Sequence, residues 1–220
     1  SVVPWLELPR RDKSWRQVLD DYDTLPRPRL FKTHCTAEQT PGIGTARIIL
    51  TVRDPRDCCV SFYHHLINMT DSARDMTGHQ RPASFAAHVE TWLKFAAWFR
   101  NVKSWWPYRD HEKVLLFRYE DLKRDPGAGV DRIAAFLNWV VTPEHKAKVL
   151  KYSSFDWMKA HDNKFSGQTE SGDSTFKPGR FIRQGKVGAY RDLITPVLEK
   201  KILDRAHAEL EPECLRFLEI

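Results

Sequence analysis

The stretch ARIILTVRDPRDCCVSFYHH, residues 46–65, decides the fold. Its first part, ARIILTVRD at 46–54, is a short apolar run rich in β-branched side chains, which predicts a strand covered on both faces. Asp54-Pro55 then supplies an N-cap and a first helical position, and Cys59, Phe62, Tyr63, Leu66 and Ile67 recur at helical spacing. A buried strand that hands over directly to a helix is the unit of a parallel sheet flanked by helices. In such sheets ligands gather beyond the carboxyl ends of the strands, which is where Arg53 stands.

Working outward, KVLLFRYED at 113–121 reads as a second strand of the same kind, and residues 28–33 as a third. Ser84 can cap a helix whose stripe of Phe85, Val89, Trp92, Leu93, Ala96 and Phe99 runs to Trp105-Trp106-Pro107. Asp125-Pro126 and Thr142-Pro143 open two more, and a last helix starts near Pro196. The expected class is therefore α/β, and 220 residues at 41% hydrophobic fit a single domain, 1–220. Between 160 and 190 the chain turns rich in Gly, Ser, Thr, Lys and Arg with no apolar period. So long a loop suggests a mobile, functional segment, and its basic half from Lys177 to Lys186 suggests closure over an anion.

The net charge of +6 favours anionic partners, whether nucleotide phosphates, nucleic acid or an acidic membrane surface. The four cysteines, at 35, 58, 59 and 214, have neither disulfide-framework nor zinc spacing, which fits a reducing, cytoplasmic compartment. There is no apolar run of about 18 residues, so no membrane span is expected. Asn68-Met69-Thr70 matches a glycosylation acceptor but falls within a predicted helix, where it reads as structural. The chain opens without Met in a Pro-rich segment, SVVPWLELPRR, so a missing segment before Ser1 is expected.

Three constellations could carry chemistry. In RLFKTH, residues 29–34, strand alternation puts Lys32 and His34 on one face, a fixed cation beside a titratable base. In TVRDPRDCCVSFYHH, residues 51–65, Arg53 sits at the strand end and Ser61 about 9 Å along the helix from Pro55, so an anion touching both would lie on the helix flank. Read alone, Arg53 is equally a salt-bridge partner for Asp54 or Asp57. In FIRQGKVGAYRD, residues 181–192, Arg183 offers a planar fork for phosphate oxygens, and Gly185 and Gly188 permit close backbone approach.

Taken together, K-T-H, R-D-P-R-D-x-x-x-S, Y-E-D-L, S-S-F and F-I-R-x-G-x-x-G follow one another in an order that resembles the cytosolic sulfotransferase family, from VPWLE at 3–7 onward. The resemblance implies a P-loop-NTPase-like three-layer fold. It also implies 3′-phosphoadenosine-5′-phosphosulfate (PAPS) as the cofactor and sulfuryl transfer to a hydroxyl or amine of a small-molecule acceptor. By it, His34 is the general base and Lys32 stabilises charge on the transferring group. Arg53 and Ser61 hold the 3′-phosphate of the nucleotide, completed by Arg183, Gln184 and Gly185, while Tyr119, Ser153, Ser154 and Phe155 surround the adenine.

Trp5, Phe62, His65, Trp98 and Phe99 are candidates to line an apolar acceptor pocket, although Trp98 and Phe99 read equally well as helix core. Asn101 falls where some relatives carry a histidine. No metal is expected, because adjacent His64 and His65 diverge by about 100° on a helix.

The chain also departs from the family pattern. The phosphosulfate-binding loop, P-K-S-G-T-T-W in common form, is absent, so the expectation is an N-terminally truncated chain or a degenerate relative. Gln184 replaces a usual lysine and Ala189-Tyr190 a usual Asp-Trp. RDLITPVLEK only loosely follows the family's dimerisation segment, leaving a homodimer open. Two other classes stand beside the enzyme: a non-catalytic binder of adenosine 3′,5′-bisphosphate (PAP), and a basic nucleic-acid binder, for which the chain carries no motif.

Overall fold

The computed structural model describes residues 3–7, 13–167 and 172–220. Residues 168–171 of the expected 160–190 loop, and residues 1–2 and 8–12 of the opening segment, lie outside the described residues. In chain order the elements are α1 (Trp15–Asp23), β1 (Ile48–Val52), α2 (Pro55–Asn68), α3 (Asp71–Thr77), α4 (Phe85–Phe95), α5 (Ala97–Trp105) and β2 (Val114–Arg118). Then come α6 (Tyr119–Arg124), α7 (Pro126–Leu137), α8 (Pro143–Ser153), α9 (Phe155–Ala160), α10 (Pro196–Glu209) and α11 (Pro212–Leu218).

β1 and β2 pair in parallel, with Ile48 opposite Val114 and Val52 opposite Arg118, so both carboxyl ends open on the same side. Each strand hands over to a helix there. Asp54 caps α2 by accepting the Arg56 N–H at 2.8 Å, with Pro55 at the first helical position. The caps read from sequence at Ser84, Asp125 and Thr142 each accept a backbone N–H of the first helical turn. Helix α1 and its Ser14 capping box, and helix α3, go beyond what the periodicity indicated.

Two expectations are corrected. Residues 28–33 form no strand of the sheet. Lys32 instead makes an isolated parallel bridge to Trp5, donating its N–H to the Pro4 carbonyl at 2.8 Å and accepting the Leu6 N–H at 2.9 Å. Pro28 deprives that stretch of a ladder donor, and its pairing stays local. The helix expected from Ser84 to Trp105 is broken at Ala96, a left-handed residue with φ 49° that joins α4 to α5. The break re-aims α5 so that Phe99, Val102 and Trp106 join Val52, Ala206, Leu210, Leu215 and Leu218 in the largest buried cluster. Cys59 of α2, Val89 of α4 and Ile202 of α10 form a second cluster, which fixes α2 against the helical layer. Among the described residues, no helix is long and apolar enough to cross a membrane.

Candidate functional site

The site is built at the carboxyl end of β1, where Arg53 leaves the strand and α2 begins. Asp57, in the first turn of α2, is 1% exposed and lies 3.0 Å from Arg53 Nη2. The same guanidinium nitrogen donates to the Lys186 carbonyl at 2.7 Å, and the Arg53 guanidinium stacks 4.5 Å over the ring of Tyr119. Tyr119 opens α6 directly after β2, so the two strand ends place this cation and this aromatic ring together. The Asp57 carboxylate also accepts the N–H groups of Gly188 at 2.7 Å and Tyr190 at 2.9 Å, which brings the 186–190 segment onto α2.

Arg183 precedes that segment, and burial and then the charge of Arg53 hold its pKa below the ordinary value, against the upward pull of Asp57 and Asp192. Arg183 Nη1 donates to the neutral Gln184 Oε1 at 2.8 Å. His64, on the flank of α2, is held below the usual imidazole range by burial and then by Arg183. Gly185 adopts φ 59° and lies so close to Phe155 that a Cβ there would sit 2.6 Å from the ring. Lys123 Nζ stands 5.9 Å from the centre of the same ring. The loop is tied down behind by Asp162, which accepts the Ile182 N–H at 2.5 Å, and by Lys159, which donates to the Gly179 carbonyl at 2.7 Å.

A second group lies around Trp5. Lys32 Nζ stands 4.4 Å over the indole, and the His34 ring meets its edge at 4.8 Å. His34 is 64% exposed, and its Nδ1 lies 3.5 Å from Glu7 Oε1. Glu7 also accepts the His34 backbone N–H. From the other side, the Asn101 amide of α5 donates to the carbonyls of His34 at 3.1 Å and Cys35 at 3.0 Å. Burial and then the Lys32 charge hold the His34 pKa below 6.5, while Glu7 pulls it upward. That shift favours the neutral imidazole, the form able to accept a proton.

His65 joins this neighbourhood from α2. Burial pushes its pKa down to about 4, helped by His79, Lys32 and His34. Its ring stacks on Phe62 at 5.9 Å and meets Phe176 edge-on at 4.5 Å. Phe62 is 38% exposed, so Trp5, Phe62 and His65 offer aromatic surface near His34.

The remaining sequence candidates fall elsewhere. Phe99 is 0% exposed inside the main core, and Trp98 packs on Phe99 at 5.0 Å and on Trp92 at 6.4 Å. Both belong to the helical core rather than to an acceptor pocket, because the Ala96 break turns that face of α5 inward. Ser61 is exposed on α2. The Ser153 hydroxyl donates back to the Val149 carbonyl at 2.7 Å, while the Ser154 hydroxyl donates to Lys151 and caps α9. Of the S-S-F segment, Phe155 is thus the side chain that faces the loop.

From sequence, Asp57 reads only as a salt-bridge partner of Arg53, Asn101 is noted without a role, and Glu7 is passed over. Each acts on backbone from a distant segment, and residue type and spacing carry no signal for that. Among the described residues no cluster of histidine, cysteine and acidic side chains could hold a metal, and the four cysteines are free.

The geometry provides a guanidinium stacked on an aromatic ring beside a basic loop and, around Trp5, an imidazole with a lysine. That arrangement can bind a phosphorylated nucleotide and accept a proton from a neighbouring group.

A model of the sulfotransferase domain family matches residues 1–211. Sulfotransferase 1E1 of Homo sapiens is 28% identical over 98% of this chain and 72% of its own length. Sulfotransferase 2A1 of Rattus norvegicus is 30% identical over 95% of this chain and 72% of its own. The crystal structure of mouse sulfotransferase SULT7A1 complexed with PAP shares the fold, with a TM-score of 0.78 and 24% identity over 99% of this chain and 76% of that one.

Proposed function

The chain belongs to the sulfotransferase family, and we propose from that premise that it transfers the sulfuryl group of PAPS to a hydroxyl or amine of a small molecule. The observation that carries this reading is Arg53 stacked over the Tyr119 ring at the carboxyl end of β1 and donating to the Lys186 carbonyl of the basic loop, whose Gly185 lies against Phe155. Arg53 and the basic loop beside it offer charge-assisted donors that a phosphate dianion would accept. Arg53 and Arg183 would hold the 3′-phosphate of the nucleotide, with Gly185 giving its backbone close approach. Tyr119 and Phe155 would flank the adenine, and Ser61 would add a hydroxyl from the exposed flank of α2.

When bound, the nucleotide supplies an activated sulfuryl group, whose bond to phosphate oxygen breaks as the acceptor's oxygen or nitrogen joins sulfur. The protein's own part is positioning and charge. Glu7 faces Nδ1 of His34, which favours the tautomer with its proton there and leaves the Nε2 lone pair free to take the acceptor's proton. Lys32, over the indole that the His34 ring also meets, would supply a fixed positive charge where negative charge develops. Asn101 holds the peptide behind His34, so the base starts from a fixed backbone. Trp5, Phe62 and His65 would receive an apolar or aromatic acceptor. The reading includes a single domain and a cytoplasmic enzyme.

The test is transfer of radiolabelled sulfate from PAPS to a mixed panel of alcohols, phenols and amines. Labelled product supports the enzyme, whereas PAP binding with no product on any acceptor supports the non-catalytic binder.

A further inference from the structure

Asp57 makes none of the contacts a nucleotide needs, yet both of its oxygens are engaged on two distant parts of the chain. Oδ1 accepts the Tyr190 N–H at 2.9 Å. Oδ2 accepts the Gly188 N–H at 2.7 Å and lies 3.0 Å from Arg53 Nη2. We infer that Asp57 is a positioning residue for anion binding, locking Arg53 and the 186–190 segment into one unit before the nucleotide arrives. The inference rests on the proposed nucleotide site and says how that site is assembled.

The local geometry suits a carboxylate. Gly188 takes φ 75°, and the turn it makes aims two N–H groups at one point inside the protein. A buried carboxylate can accept both and still pair with a guanidinium. Arg53 Nη2 is then committed to Asp57 and to the Lys186 carbonyl. Its stacking on Tyr119 fixes the plane of the guanidinium. Because the 186–190 segment immediately follows Arg183, anchoring it to α2 sets where Arg183 can reach. An asparagine at 57 has nearly the same shape but one acceptor oxygen, and its amide would face an N–H or the guanidinium. At least one of the three interactions is lost.

The sign of the effect separates this from a simpler role. If Asp57 merely offset the Arg53 charge, removing its own negative charge would strengthen anion binding. If it positions, removing it loosens the cradle and weakens binding.

Two measurements test the inference. In the wild-type chain without nucleotide, hydrogen exchange should show the Gly188 and Tyr190 amides already protected, since Asp57 rather than the ligand satisfies them. Calorimetric titration with PAP should show Asp57→Asn binding about tenfold or more weakly than wild type, the scale of a lost buried charge-assisted contact.

Gly188 exchanging as fast as an unstructured amide, or Asp57→Asn binding PAP as tightly as wild type or more tightly, would overturn it. Should Asp57→Asn not fold, the wild-type exchange measurement decides. Unchanged affinity in Arg53→Ala would instead sink the nucleotide site itself, and this inference with it.

Discussion

Gly185 lies against the ring of Phe155 with no room for a Cβ, which would stand 2.6 Å from Cδ2 and 3.1 Å from Cε2. This contact joins the start of α9 to the basic loop, and it requires glycine twice, for space and for φ 59°. Gly185→Ala must therefore displace the ring or the loop. Overpacking costs about 1–3 kcal/mol, so PAP binding should weaken about fivefold or more, while kcat at saturating nucleotide stays near wild type. Calorimetry and steady-state kinetics on the same preparation check the split.

His34→Ala should lower sulfuryl transfer about a hundredfold or more, the scale of a lost general base. PAP affinity should stay close to wild type, because the ring packs on Trp5 rather than on the arginines. An unchanged transfer rate removes His34 from the mechanism.

The pH profile tests the Glu7 partnership. His34 sits below 6.5 through burial and Lys32, against the upward pull of Glu7. A base must be deprotonated to work, so the acid limb of kcat/KM should lie below pH 6.5. Glu7→Gln removes the pull, and the limb should move to still lower pH. A limb that moves upward or does not shift contradicts the pairing.

Acid stability reports on His65. Its folded pKa of about 4 lies below the unfolded value near 6.5. Between those values the unfolded chain binds a proton that the native protein does not. The contribution is therefore fully present above pH 6.5 and lost as pH falls toward 4, at up to about 1.4 kcal/mol per pH unit. Urea unfolding from pH 4.5 to 7.5 should show a shallower pH dependence for His65→Gln than for wild type. Parallel curves would show that His65 does not titrate this way.

What the sequence made legible was local. The strand handing over to α2, and the caps at Asp54, Ser84, Asp125 and Thr142, depend on neighbours within a turn or two, and they form as read. What it hid was set by distant contacts. Ala96 continues the helical period, yet the chain breaks there and α5 packs on α10 and α11. Phe62 and Phe99 both look like apolar helix positions, and their tertiary surroundings alone make the first half-exposed and the second core. Asp57 reads from sequence as a salt-bridge partner of Arg53, which it is, but its hold on the Gly188 and Tyr190 amides shows only in the fold. Lys32 and His34 were placed on one side by simple alternation. Both do meet Trp5, although the segment pairs with residues 4–6 and not with the sheet.

The central claim is that Arg53, together with Arg183, recognises a phosphate that distinguishes one adenine nucleotide from another. The most direct measurement is calorimetric titration of wild type and Arg53→Ala with PAP and with adenosine 5′-monophosphate, which lacks the 3′-phosphate. Wild type should prefer PAP by about tenfold or more, as a charge-assisted phosphate contact provides, and Arg53→Ala should bind the two nucleotides nearly alike. A preference for PAP that survives in Arg53→Ala, or a wild-type chain that does not distinguish the two, would contradict the account.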